Sequence, residues 1–255
     1  MTAENNYKLD HSFVKINKHF SNTYQYDFWK NGYVFVPLGK EIADKYLLNN
    51  LANLYNNKES NFFTKDKYVD SNQFDFNSNI EKLDFIIDFL KSTKIMDSLK
   101  FITCSDLVLT SIRIRINQNI KKSNSFWGRH RDTSFLTNQS VTGNVPPLKH
   151  LIYYPNLNNF KKDENQLKIW EGSHRKIFSG HLDNFLSFLR KKIIIKTSNE
   201  TMTLFEGSLI HAIGYTDNPN GNLRLIFDFL DRQQIFDGIE HQKNIERWDK
   251  MIYGL

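Results

Sequence analysis

A mainly β protein with flanking helices is the fold class this sequence predicts, and three observations predict it. Residues 41–56 and 80–100 carry apolar side chains at helical spacing. From about residue 106 onward, short β-rich runs recur with turn residues between them. A single helical stretch, near 181–191, interrupts those runs, so strand and helix do not alternate as a parallel sheet requires. The expectation is helices first, then an antiparallel β core in the form of a sandwich or barrel.

Each element follows from local pattern. Residues 1–20 are polar and predict a loose arm, and 21–105 a helical flank. A turn at Asn31-Gly32 precedes a short β run from Tyr33 to Leu38. Ile42, Tyr46, Leu47, Leu51 and Leu54 form one helical stripe, and Ile80, Leu83, Ile87, Leu90 and Leu99 another. In LVLTSIRIRIN, Ile112, Ile114 and Ile116 alternate with Ser111, Arg113, Arg115 and Asn117, the period of a strand with one apolar and one polar face. Further strands are expected at 148–154, 166–170, 192–196, 201–206 and 224–230. The core spans 106–232, a helical tail 233–255, and the whole chain is one domain.

Composition narrows the function classes. The chain has 255 residues, 40% hydrophobic and 14% aromatic, enough for a substantial core. No run approaches a membrane span, and the first residues lack the pattern of a signal or transit peptide. Cys104 is the single cysteine, so no internal disulfide forms, and a cytoplasmic protein is expected. The net charge of +6 comes from scattered lysines rather than a stripe, which argues against a nucleic-acid interface and leaves an acidic small substrate open.

His-x-Asp occurs twice, at His130-Arg131-Asp132 and His181-Leu182-Asp183. On extended chain, residues i and i+2 project from one face and can reach one ion; on a helix they diverge. Residues 181–191 have helical spacing, so His130 and Asp132 are the candidate metal pair. A third ligand comes from GSLIH, which places His211 on a strand after the Gly207-Ser208 turn. The loop DNPNG then returns the chain into a strand opening with Arg224. Two histidines and one carboxylate leave part of an ion's coordination open, as non-haem Fe(II) with exchangeable positions requires. An arginine nearby supplies a planar fork for a dicarboxylate.

With HRD, ENQLKIWEGSHR at 164–175, GSLIH and a later arginine in that order, the chain resembles the phytanoyl-CoA dioxygenase family. The opening FWKNGYVFV is similar to that family's N-terminal motif, so the likeness spans nearly the whole chain. It implies a double-stranded β-helix, a cupin-like jelly roll, with helices outside. It implies Fe(II) on His130, Asp132 and His211, 2-oxoglutarate as co-substrate with its distal carboxylate on Arg224, and O2. The segment at 115–117 is similar to the strand before the metal motif in ectoine hydroxylase, a member of the family, and nominates Asn117 as a co-substrate contact. Arg113 shares that polar face and is a second candidate, whereas Arg115 is read as solvated. In the GSH turn, His174 takes a structural role.

Three positions depart from the family. Glu171 replaces a proline, Ile213 stands where many members have a co-substrate serine, and the step from His211 to Arg224 is slightly long. The hydrogen bond of that serine is either missing or supplied elsewhere, by a tyrosine such as Tyr153. The resulting expectation is a dioxygenase that hydroxylates a small-molecule or carrier-bound substrate, anionic if the lysines near 118–125 contact it. Trp127, Phe126, Phe135 and Trp170 are candidate pocket aromatics, and 118–125 and 137–147 candidate lids. The alternative is a metal-binding jelly roll without oxygenase activity, of the cupin isomerase or binding-protein kind.

Overall fold

In the computed structural model, the described residues are 23–57, 63–65, 71–74, 84–117, 129–132, 148–157, 167–174, 186, 189–213, 222–232 and 242–253. The expected N-terminal arm, both candidate lids, most of the 181–191 helix, Phe126, Trp127 and Phe135 lie outside them. No helix among the described residues is long and apolar enough to cross a membrane.

Helix α1 (Thr23–Asn31) ends at the Asn31-Gly32 turn and feeds strand β1 (Tyr33–Pro37). Gly32 has φ 80, a left-handed conformation open to glycine, and an added Cβ would collide with the His174 ring. Helix α2 runs through Lys40–Ala43, a π-helical turn at Asp44–Leu48, and Asn49–Asn56. The stripe expected as one helix over 80–100 is broken into α3 (Asp84–Ser92) and α4 (Ile95–Thr103). Lys94 between them has φ 52, which ends the first helix while Thr93 Oγ1 donates back to Phe89 O at 2.5 Å. Two short helices pack where one straight one would leave the curved sheet: Ile86, Phe89, Leu90, Met96 and Leu99 are all buried.

The strands form two sheets. The larger has the order β1-β8-β5-β10-β4-β3-β2 and the smaller β7-β6-β9. Their ranges are β2 (Phe63–Lys65), β3 (Ser71–Phe74), β4 (Leu107–Asn117), β5 (Lys149–Tyr153) and β6 (Leu167–Trp170). They continue with β7 (Lys192–Ile195), β8 (Thr201–Glu206), β9 (His211–Ile213) and β10 (Asn222–Asp231). His130 bridges antiparallel to His211 and so extends the smaller sheet. Following the chain from β4, the path passes to the smaller sheet at His130, back at β5, across at β6 and β7, back at β8, across at β9 and home at β10. That exchange between two antiparallel sheets is the jelly roll, and the mainly β class with flanking helices holds.

Both faces of the larger sheet are covered, which is why β10 is buried from Leu223 to Leu230. Its outer face, with Leu225, Phe227, Leu151, Tyr153, Ile112 and Ile114, packs on the helices. Phe89 stacks on Phe227 at 6.3 Å between ring centroids. Its inner face, with Ile152, Tyr154, Phe205 and Ile226, meets Leu167, Ile169 and Ile195 of the smaller sheet. Helix α5 (Gln242–Tyr253) is tied to the end of β10 by Arg232, whose Nη1 donates to Asp249 at 2.9 Å.

A bulge sets the phase of β4. Pairing with β10 runs from Asp231↔Leu107 to Phe229↔Leu109, then resumes at Asp228↔Ser111, so Thr110 is the extra residue. Its hydroxyl donates to Asp228 O at 2.9 Å. Strict alternation from Leu109 would turn Ser111, Arg113 and Arg115 toward the helices; the bulge turns them inward instead. The polar face of β4, expected to be solvated at Arg115, is therefore an interior face, with Arg115 half-buried opposite Arg224.

Candidate metal centre

His130 and His211 are brought together by backbone pairing. The His130 N–H donates to His211 O at 2.9 Å and the His211 N–H returns to His130 O at 3.0 Å. Two residues on, the Asp132 N–H donates to Gly207 O at 2.9 Å, which carries its carboxylate between the two imidazoles. His130 Nε2 lies 3.3 Å from Asp132 Oδ1, and His211 Nε2 lies 3.5 Å from Asp132 Oδ2. One ligand atom from each of His130, Asp132 and His211 falls within 4.8 Å of the others, and only His211 is buried. The cluster is a half-shell, backed by protein and open on the His130–Asp132 side.

The donor chemistry fits a metal. His211 Nδ1 lies 2.9 Å from Leu209 O, so Nδ1 carries the proton and the Nε2 lone pair faces the cluster. Burial lowers the pKa of His211 and keeps the ring neutral, the form that ligates. Burial by itself would raise the pKa of Asp132, but the surrounding imidazoles of His130, His150 and His211 outweigh it and hold the carboxyl well below the usual range. An ionised carboxylate beside two imidazole nitrogens is a hard–borderline N2O set suited to a divalent first-row metal.

The segment carrying the ligands is clamped from below. The Arg131 side chain, between the candidate ligands His130 and Asp132, donates through Nη1 to both Ser173 O and Ser208 O. Ser173 Oγ accepts from the Ile210 N–H at 2.7 Å, one residue before His211. His174 donates through Nε2 to Trp29 O at 3.0 Å, and the Gly172 N–H donates to Asn31 O at 2.7 Å. The GSH turn is thus the joint between α1, the smaller sheet and the ligand loop. Glu171 has its N–H on Lys191 O at 3.0 Å, a bond that a proline there could not make.

Two polar residues beside the cluster escape the sequence motifs, His150 and Asp228. His150 Nδ1 lies 2.7 Å from Asp228 Oδ1, and its Nε2 lies 3.1 Å from Asp132 Oδ2. Asp228 also accepts from Arg113 Nη2 at 2.6 Å and from the Ser111 hydroxyl. The pair Asp228↔His150 is a direct cross-strand match between β10 and β5. A lone histidine and a lone aspartate in apolar strands carry no motif; only the alternation of KHLIYY and LIFDFL marks them as sharing a face.

The other candidates separate. Arg224 is buried, on the inner face of β10 two inward positions from Asp228. Arg113 is committed to Asp228 rather than open to a co-substrate. Asn117 ends β4 opposite Asn222, and its side chain lies outside the described residues. Ile213 pairs with Leu167 in the smaller sheet. Tyr153, the expected substitute for the missing serine, is excluded from the interior. It points with Leu225 and Met202 into the helix-facing core, and its hydroxyl donates to Asn199 O at 3.1 Å. Period two gives the interior position to Tyr154, whose buried hydroxyl makes no hydrogen bond among the described residues. Trp170 faces outward, packed with Ile210 and Ala212 beneath the Arg129 guanidinium.

Solved structures share this arrangement of sheets. SnoN, a non-heme alpha-ketoglutarate-dependent epimerase from nogalamycin biosynthesis, superposes with a TM-score of 0.58 at 14% identity over 81% of each chain. The chain has the jelly-roll fold of the 2-oxoglutarate-dependent oxygenases. EctD from S. alaskensis, solved with 2-oxoglutarate and 5-hydroxyectoine, gives 0.58 at 14% identity over 84% of this chain and 77% of its own. A prolyl hydroxylase from Trichoplax adhaerens, solved with a peptide of hypoxia inducible factor, gives 0.52 at 16% identity over 89% and 96%. No family model matches the sequence, and no curated protein matches it.

Proposed function

We propose that this protein is a non-haem Fe(II)- and 2-oxoglutarate-dependent dioxygenase of the phytanoyl-CoA dioxygenase type, hydroxylating a small-molecule or carrier-bound substrate. The observation that carries this reading is the half-shell of His130, Asp132 and His211 in a jelly roll whose inner face also buries Arg224. Nothing in a merely structural metal site needs a buried guanidinium facing the same interior.

His130, Asp132 and His211 would hold the ferrous ion and leave its remaining positions to exchangeable ligands. Arg224 and the inner face of β10 give the second half of the site. Arg224 and Asp228 lie four strand positions apart, about 13 Å, a span that an arginine side chain and a five-carbon dicarboxylate bridge together. Arg224 would take the distal carboxylate in a bidentate grip, with the Tyr154 hydroxyl as a further donor one strand over. Phe205, whose ring lies edge-on to His211 at 5.2 Å, and Ile226 wall the interior against water. When bound, iron and 2-oxoglutarate supply the oxidation: O2 is consumed as the 2-oxo acid loses CO2 to become succinate, and the substrate carbon gains a hydroxyl. The chain's part is orientation, exclusion of water and retention of an ionised Asp132.

The test is thermal denaturation of Mn(II)-loaded protein with 2-oxoglutarate, followed by succinate release under O2 with Fe(II) across amino acids, sugars, acyl thioesters and phosphonates. A rise in Tm that is lost in Arg224→Leu, together with a product sixteen mass units heavier, is the expected result. Wild-type protein that binds Mn(II) but is indifferent to millimolar 2-oxoglutarate would overturn the reading and favour a metal-binding jelly roll without oxygenase activity.

A further inference from the structure

Behind the candidate ligands lies a chain of polar groups, buried at His150 and Asp228, that metal ligation itself does not require. It begins at Arg113 and Ser111 on β4, passes through Asp228 on β10 and His150 on β5, and ends on Oδ2 of Asp132, the oxygen that also lies 3.5 Å from His211 Nε2. His150 is 1% exposed, so its imidazole has no access to water. One ring nitrogen is bound to Asp228; the other is buried, lacks a hydrogen bond of good geometry, and faces Asp132 at 3.1 Å. Burying an imidazole against two carboxylates costs desolvation that a leucine at this position would avoid. The ring is also held from both sides, by the Phe205 ring at 5.0 Å and by Gly207, where a Cβ would approach His150 Nε2 to 2.9 Å.

We propose that His150 is the positioning residue of the metal centre: it engages Oδ2 of Asp132, leaves Oδ1 to ligate alone, and is itself aimed by Asp228, Arg113 and Ser111. This inference rests on the metal-site reading above. Its physical content is the number of open positions. A carboxylate free to rotate can bind through both oxygens and occupy an extra coordination place; one whose outer oxygen is engaged binds through a single oxygen. Three single-point ligands leave room for a chelating dicarboxylate and a gas molecule together. Carboxylates that ligate metals are commonly held by such outer partners, and losing one costs about 10–100-fold in metal affinity. Asp228, anchored on β4 and β10, transmits the position of the larger sheet to a ligand borne on the smaller one.

The experiment is calorimetric titration of metal-free protein with Co(II), with the visible Co(II) spectrum recorded at saturation. Wild type is compared with His150→Leu, His150→Gln and Asp228→Asn. His150→Leu should weaken Co(II) binding about 10–100-fold and shift the absorption bands, because the carboxylate becomes free to bind through both oxygens. His150→Gln, which keeps an amide N–H near Nε2, should restore most of the affinity and the wild-type bands. Asp228→Asn should move both readouts in the direction of His150→Leu by a smaller amount. Folded His150→Leu with unchanged affinity and spectrum overturns the proposal, as does His150→Gln behaving like His150→Leu. If His150→Leu does not fold, wild-type affinity and bands in Asp228→Asn overturn it instead. Wild-type protein that binds no Co(II) would remove the metal site itself, an outcome distinct from any variant effect.

Discussion

His130 and His211 exchange backbone hydrogen bonds in both directions, at 2.9 Å and 3.0 Å, although they lie 81 positions apart in the chain. The candidate ligands are thereby part of the sheet itself. A ligand pair anchored by main-chain pairing holds its spacing whatever side chains surround it, so removing a ligand should cost metal rather than fold. Asp132→Ala is expected to retain the wild-type far-UV spectrum and to lose Mn(II) binding by calorimetry. Wild-type Mn(II) affinity in that variant would refute the ligand assignment.

Arg131 ties the ligand segment to two carbonyls, on Ser173 and Ser208, with one guanidinium nitrogen. Lysine is a point charge on a flexible stem and cannot reproduce that fixed geometry. Arg131→Lys should lower stability by about 1–3 kcal/mol, read from urea denaturation of metal-free protein. It should weaken Mn(II) binding as well, since the loop it pins carries two of the candidate ligands. Unchanged values for both would show the clamp to be dispensable.

At Gly207 the backbone passes so close to its neighbours that a Cβ would lie 2.8 Å from Leu148 O and 2.9 Å from His150 Nε2. The first contact is with backbone and cannot yield cheaply. Gly207→Ala should therefore destabilise by about 1–3 kcal/mol and displace the carbonyl that receives the Asp132 N–H. A melting temperature equal to wild type would mean that the close approach carries no weight.

Asp228 gives the metal-free protein a pH-dependent contribution. Burial alone would raise its pKa, but the His150 hydrogen bond and the Arg113 charge hold it well below the usual carboxylate range. A folded-state pKa below the unfolded value of about 3.9 stabilises above that value, and the contribution disappears as pH falls toward the folded-state pKa. Tm measured from pH 6 to 3 should drop on the acid side, and Asp228→Asn should flatten that limb in part, with Asp132 supplying the remainder. Parallel curves for the two proteins would contradict the assignment.

The same alternation explains what could be read in advance and what could not. Ile112, Ile114 and Ile116 identified β4, and the turn residues DNPNG marked the start of its partner β10, because strand period and turn chemistry are local. Even the bulge is written in the run, where apolar positions pass from Leu107 and Leu109 to Ile112. Tyr153 and Tyr154 are a different case. Adjacent tyrosines in a strand point to opposite faces, and which face is interior depends on where the smaller sheet packs.

By itself the sequence determined most of the helices, the later strands, and the spacing that lets His130 and Asp132 share one face on extended chain; it gave no sign of β2 and β3, which lie inside the expected helical flank and join the larger sheet. The legible features follow from spacing along one segment, where backbone geometry alone places side chains. Only the tertiary structure decided that His211 closes the cluster, that the polar face of β4 looks inward, and that His150 and Asp228 stand behind Asp132. Those relations join residues up to about a hundred positions apart across three strands of one sheet and one of another. Such contacts are set by sheet register and by which face the second sheet covers, and neither is encoded in any single stretch of the chain.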